Sequence, residues 1–426
     1  MNNKIKGGHA MKRMSFTLIS LLLLCSILLN TAGCAMKVRA TDLMDGVTPR
    51  KMNESVDLLG KNTDVTDFAI RLFKSTSEGE KNTLISPLSV LCALAMTANG
   101  AKGETREQME SVLGMSAEEL NVYLYAYMSA LSQDKKYQLH IANSVWFAEN
   151  RNFSVNQQFL QMNADYYGAD IYETSFDKRT LKDINRWVKN ETDGMIPEIL
   201  DRISDNAVMY LINALAFEAE WDTVYEKNQV RDGTFTREDG TKQIVKMMYD
   251  SGYFKYLEDE KATGFVRYYR DNKYAFVALL PNEGVSVSEY VDSLDGAKLN
   301  ELLAGAKSEN IKTAIPKFET EYSAEMSEIL KSMGMPLAFD PDYADFSGLG
   351  TSVDDNIYID RVIHEAFIQV GEKGTKAGAA TVIEMTNKSS VDGDKQIYLD
   401  RPFVYMLIDC ENNIPFFIGT MMDVNQ

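Results

Sequence analysis

Three histidines, His9, His140 and His364, limit the acid–base and metal chemistry open to this 426-residue chain. A Ser-His-Asp arrangement would need His140 or His364 as its base. The motifs that would support one are absent: there is no G-x-S-x-G elbow, no H-E-x-x-H, no P-loop and no G-x-G-x-x-G. His364-Glu365 lacks the second histidine that a zinc site of that kind needs. Carboxylate pairs are frequent, but a chain with 62 acidic residues produces them by chance. Of the four cysteines, Cys25 and Cys34 belong to an N-terminal apolar segment. Cys92 and Cys410 stand in apolar runs and read as buried free thiols, with no disulfide framework and no metal-ligand spacing. These features point away from an enzyme and away from a metal or cofactor, with an unrecognised hydrolase as the alternative.

The residues with the most information are conformational. Gly371 to Ser390 reads GEKGTKAGAATVIEMTNKSS. In an extended chain Thr375, Ala377, Ala379, Thr381 and Ile383 share one face, and Lys376, Gly378, Ala380 and Glu384 the other. The first face is small and uncharged enough to enter a packed sheet. So many Gly and Ala make a poor strand in isolation. A segment patterned as a strand yet weak as one can exist as a loop and become a strand later.

Glu372-Lys373-Gly374-Thr375 followed by Ala377-Gly378-Ala379-Ala380-Thr381 resembles the hinge of the reactive-centre loop in the serpins. Asp400-Arg401-Pro402-Phe403-Val404-Tyr405 is similar to that family's segment after the loop. Asn82 to Ser89, Ala101 to Thr105, and Asn185, Trp187, Gly194 and Ile196 add further matches, so the resemblance spans about residues 65 to 426. It implies an α+β fold of about eight or nine helices around three β-sheets. An exposed loop at about 372–396 would be able to insert in the central sheet. It also implies a suicide substrate: a protease attacks the loop, an acyl-enzyme forms, and insertion of the freed hinge traps it as a covalent complex. The family's usual spacing from Glu372 puts Lys388 in the protease's specificity pocket and Ser389 after the scissile bond. A basic residue there suits trypsin-like proteases. Met385, Thr386, Asn387 or Val391 would suit elastase-, subtilisin- or papain-like ones. Lys376 departs from the acidic residue usual at its position.

The resemblance also assigns Ser86, Ser89, Asn213 and His364 to a buried polar cluster that controls opening of the sheet. Trp221 resembles the tryptophan near the top of the sheet, where the loop first enters. The alternative within the family is a non-inhibitory binding protein, whose hinge would typically carry bulky or charged residues on the inward face. That face is clean here.

The formal charge of −18 argues against nucleic acid and anionic membrane surfaces as partners. Residues 1–33 read as an export segment: Lys4, Lys6, Lys12 and Arg13 precede an apolar run from Phe16 to Leu29, and Ala32-Gly33-Cys34 resembles a bacterial lipoprotein cleavage site. Losing those four cations would leave the mature chain near −22. Cys34 would then carry lipid, and the only membrane contact would be that anchor. An ordinary secretory signal or an uncleaved anchor is the alternative. We expect an exported monomer with residues 34–62 as a tether and 63–426 as one domain. No run of basic residues suggests a polyanion cofactor.

The positioning elements follow from periodicity. A helix should begin at Thr63, capped by Thr63 or Asp64, and Ser86 should cap a second one starting at Pro87. Glu118–Leu131, Asn156–Tyr167, Leu181–Asn190 and Ser323–Met333 read as helices. Ile141–Phe147, Ile171–Phe176 and Met209–Trp221 read as strands, and Phe403–Asp409 with Ile414–Met421 as a hairpin. Asp232-Gly233 and Glu238-Asp239-Gly240 read as turns.

Overall fold

The structure, a computed structural model, describes residues 38–52, 58–131, 134, 136–149, 154–203, 208–351, 356–375 and 395–425. Of its two compact units, 1–39 and 40–426, the second holds every element discussed below. Among the described residues there are nine α-helices and three β-sheets, of seven, nine and two strands.

The seven-stranded sheet positions the site. Its order is Thr41–Asp42, Asp170–Thr174, Tyr137–Ala148, Met209–Glu220, Gly374–Thr375, Arg361–Gly371 and Phe318–Glu325. Met209–Glu220 is antiparallel to Tyr137–Ala148 from Met209 opposite Phe147 to Ala219 opposite Tyr137. On its other side it runs parallel to Arg361–Gly371, from Tyr210 opposite Arg361 to Leu215 opposite Ala366. Behind these strands lies the helix Pro87–Ala98, every residue of which is buried. Its all-round apolar sequence suits a helix enclosed on every side. The nine-stranded sheet runs from Lys395–Tyr398 through Lys307–Pro316, Lys242–Glu258 and Ala262–Tyr268 to Thr83–Ile85, with the hairpin Phe403–Asp409 and Ile414–Met421 inside it.

Most elements lie where periodicity placed them, and four readings are corrected. The first helix is Leu58–Thr76, so neither Thr63 nor Asp64 caps it. Ser323–Glu325 continues the edge strand, and the helix after it is only Ser327–Met333. The cross-strand partners of Phe318–Glu325 outweigh the local helical pattern there. Asp232-Gly233 is not a turn: Gly233 lies within the strand Val230–Thr236, opposite Val245. A Cβ on Gly233 would stand 2.4 Å from Met247 Cγ, so this glycine permits close packing. The expected tether, 34–62, is not free along its length. Thr41–Asp42 adds a short strand to the edge at Tyr172 and Glu173, and Leu43 N donates to Ile171 O at 2.9 Å. Arg50 N and Nε donate to the Asp165 carboxylate at 2.7 and 2.8 Å. An open sheet edge offers unpaired groups, and this segment covers them.

Candidate functional site

The strands Met209–Glu220 and Arg361–Gly371 run side by side for six residue pairs and then part. Gly374–Thr375 lies between them at their upper end. It is antiparallel to both: Thr375 faces Val370 and Ala219, and Gly374 faces Gly371 and Glu220. Gly374 has φ of 154°, and a Cβ there would lie 1.9 Å from Ala219 O, so no other residue fits the join. Thr375 is 1% exposed and its Oγ1 bonds to the Tyr269 hydroxyl. Sequence alternation puts Thr375 on the inward face, and the structure buries it there.

The turn leading into this pair is held carbonyl by carbonyl. Trp221 Nε1 donates to Gly371 O at 2.8 Å, Trp221 N to Lys373 O at 2.8 Å, and Tyr225 N to Glu372 O at 2.9 Å. Trp221 stacks on Tyr269, with centroids 4.4 Å apart and planes 7° from parallel. Lys317 Nζ lies 2.6 Å from the Glu372 carboxylate. That ammonium hydrogen bond holds the Glu372 carboxyl below the usual carboxylate range.

Lower in the same pair of strands lies the polar cluster. His364 and Asn213 are Cα partners, and both are buried with Ser86 and Ser89. The linkage differs from the expected side-chain network. Ser86 stands at the N-cap position, but its hydroxyl makes no cap bond. Its backbone N–H donates instead to His364 Nε2 at 3.0 Å. Asn213 Nδ2 donates to the carboxamide oxygen of Asn143, directly opposite it. Four polar atoms here have no hydrogen-bond partner among the described residues: Ser86 Oγ, Ser89 Oγ, Asn213 Oδ1 and His364 Nδ1. Burial pushes the His364 imidazole down to about 4, so it is neutral near pH 7. Because Nε2 accepts, the ring proton belongs on Nδ1.

The opposite face of the strand holds a group that the sequence reading passed over. Glu365 is 6% exposed. Burial, then the carboxylates of Glu321 and Glu198, push it up to about 8. Asn143, Tyr269 and Lys317 were also missed. Only Asn143, a lone amide in the apolar run IANSVWF, left a signal. His140 is partly buried, 3.3 Å from Gln138 Oε1. Among the described residues no group of three or more His, Cys, Asp or Glu could hold a metal ion. Cys92 is buried and free, and Cys410 is free and partly buried. Ala377, Ala379, Ala380, Thr381, Lys388, Ser389 and Cys34 lie outside the described residues.

Residues 63–424 match the family model of the serpins, serine protease inhibitors. The chain belongs to the serpin family. An uncharacterized serpin-like protein of Thermococcus kodakarensis is 30% identical over 368 residues, which cover 84% of either chain. The solved structure of the thermophilic serpin Tengpin in its native state superposes with a TM-score of 0.87 at 47% identity, covering 91% of this serpin and all of that chain. Tengpin in its latent state gives 0.78 at 48% identity, covering 88% of this serpin and all of that chain. This serpin is thus more similar in shape to the native relative than to the latent one. Glu372–Thr375, which resembles the start of the family's hinge, leads into the pair Gly374–Thr375 at the top of the central sheet.

Proposed function

We propose that this serpin inhibits a serine protease as a suicide substrate. The carrying observation is the placement of Gly374–Thr375. The first two residues of a further strand already pair between the two strands that such a strand would separate. A dozen new ladder bonds at about 1 kcal/mol net each give roughly 10 kcal/mol. Ordering the same backbone costs about 1–2 kcal/mol per residue. Hydrogen bonds alone do not decide the outcome, so packing of the inward face must. The seed removes the cost of starting a strand.

The register of the seed extends on both sides. Six residues beyond Thr375 is Thr381, and six residues before Val370 and Ala219 are His364 and Asn213. These two already face each other. An inserted Thr381 would bring a hydroxyl to the level of His364 Nδ1–H and Asn213 Oδ1. A hydroxyl can accept from the first and donate to the second.

In the reaction, the protease's serine oxygen attacks the Lys388 carbonyl. The Lys388–Ser389 bond breaks and the Ser389 amine leaves with a proton. The protease stays bound as an ester on Lys388 while the strand forms. Trypsin-like proteases fit Lys388 best. We place the protein outside the cell, tethered by lipid on Cys34 and monomeric. Among the described residues no helix is long and apolar enough to cross a membrane. Incubation with trypsin, followed by a denaturing gel and mass spectrometry, tests the reading. A covalent band at the summed mass with a released peptide starting at Ser389 supports it. Cleavage without any such band, for trypsin and for elastase-, subtilisin- and papain-like proteases, overturns it. Lys388→Ala should abolish trypsin trapping; undiminished trapping would move the bond.

A further inference from the structure

The hinge turn hangs from residues 221–225, and a buried cation packs beneath that segment. Arg267, on the strand Ala262–Tyr268, is 4% exposed. Its Nη1 lies 2.8 Å from Asp250 Oδ2, which fixes it to the strand Lys242–Glu258. Its Nη2 donates to Thr223 O at 2.7 Å. Its guanidinium lies 4.0 Å from the centroid of the Tyr225 ring and 5.3 Å from that of Trp221. One planar group therefore touches the first, third and fifth residues of a five-residue segment. The first and fifth supply the N–H groups that hold Lys373 O and Glu372 O. Neighbouring backbone bonds run the same way: Asp222 N donates to Tyr268 O at 3.1 Å.

We propose that Arg267 is the positioning residue of the hinge. By fixing the 221–225 segment it aims the Trp221 and Tyr225 amides at the turn, and so keeps Gly374 and Thr375 in register as the seed of insertion. Only arginine has the geometry for it. A lysine can keep the ion pair with Asp250, but a point charge cannot also donate to Thr223 O and sit over the Tyr225 ring. Buried charge-assisted hydrogen bonds of this kind are directional as well as strong. The role rests on the inhibitor reading for its consequence, and on the geometry alone for the clamp.

The test uses the full chain with Arg267→Lys, and Asp250→Asn as a second variant that leaves Arg267 in place. Amide hydrogen exchange reads the clamp directly, without any protease. Exchange at Trp221 and Tyr225 should quicken about tenfold or more in Arg267→Lys, as loss of a charge-assisted bond predicts. Amides lower in Met209–Glu220 should keep their rates. Asp250→Asn should give a smaller change at the same two amides. A uniform rise through the sheet, or none at the two amides, overturns the assignment. The second readout is the number of inhibitor molecules consumed per trapped protease. It should rise at least severalfold in Arg267→Lys while the thermal midpoint of the uncleaved protein moves little. An unchanged ratio with quickened amides overturns the link to insertion. If the wild type traps no protease, the inhibitor reading fails, and the exchange experiment still decides the clamp.

Discussion

The same two strands show opposite states at two heights. At the top, around Thr375, the carbonyls of residues 371–373 each have a donor, and the Thr375 hydroxyl has Tyr269. Six residues lower, around His364 and Asn213, four buried polar atoms have no partner among the described residues. Buried polar groups normally find partners, and each one left without costs about 1–3 kcal/mol. The strand pairing at the upper end is complete, whereas two of the four atoms in the middle, His364 Nδ1 and Asn213 Oδ1, are ones that a single added hydroxyl could serve. A network satisfied only in part is a poor way to hold a sheet shut and a good place to store free energy that an added strand releases. The difference predicts that damage at the top and damage in the middle have different signatures.

The largest effect should come from breaking the top. Thr375→Arg places a charge where the native residue is 1% exposed, beside Tyr269, whose ring stacks on Trp221. An unpaired buried charge costs several kcal/mol. The seed should leave the sheet, and the variant should be cleaved by trypsin without forming the covalent band. Trapping at the wild-type ratio would show that Thr375 does not face inward during insertion.

Breaking the middle should act on the uncleaved fold. His364→Ala leaves Ser86 N–H without its acceptor and a hole behind the sheet, at a cost of about 2–4 kcal/mol near pH 7. The cost has a pH dependence of known sign. The folded value, about 4, is depressed below the ordinary histidine value of about 6.5. The stability His364 contributes is therefore present above pH ~6.5 and is lost as pH falls toward 4. Denaturant titrations should show the wild type and His364→Ala converging over that window. A constant gap would mean that the imidazole is not buried neutral.

How much of this was legible in the sequence differs between the two heights. The candidate hinge stood out in the sequence because alternation leaves one face, Thr375, Ala377, Ala379 and Thr381, small and uncharged, and because its residues resemble those of one family. The same resemblance singled out Trp221, whose indole and amide N–H groups donate to Gly371 O and Lys373 O. Partners contributed by distant elements were not legible: Lys317 lies 55 residues from Glu372 in the chain, and Tyr269 lies 106 from Thr375. In the middle, the resemblance gave the residue set but not its wiring. Ser86 looked like a helix cap; it does stand at the N-cap position, but its hydroxyl makes no cap bond and its backbone N–H donates to a histidine 278 residues away. Local pattern specifies a face and a period. It does not say which buried atoms meet.

Glu365 tests the other face of the same strand, at the height of the cluster. Its folded value, about 8, is raised above the ordinary glutamate value of about 4.3. The stability it contributes is present below pH ~4.3 and is lost as pH rises through 8. Glu365→Gln cannot ionise, so it should gain on the wild type across that window, by up to a few kcal/mol. Burial sets the sign, and the carboxylates of Glu321 and Glu198 add to it by repelling a charged Glu365. If the gain is absent, Glu365 is ionised in the fold and the strand tolerates a charge at its centre.

The smallest predicted effect is the most discriminating. If the middle of the sheet is completed by the inserted strand, Thr381→Val removes the hydroxyl that would serve His364 Nδ1 and Asn213 Oδ1, while keeping the side chain's shape. The uncleaved protein should melt within about 0.5 kcal/mol of the wild type, because the middle is unfinished with or without that hydroxyl. The loop-cleaved protein should lose about 1–2 kcal/mol of the stability that insertion adds, the worth of a buried hydrogen bond or two. In the cleaved His364→Ala background the same substitution should cost less, because one of its two partners is already gone. Equal losses in both backgrounds would mean that the hydroxyl does not reach His364. The middle would then be finished by some other residue of the inserted strand, and the register carried down from Gly374 and Thr375 would have to shift.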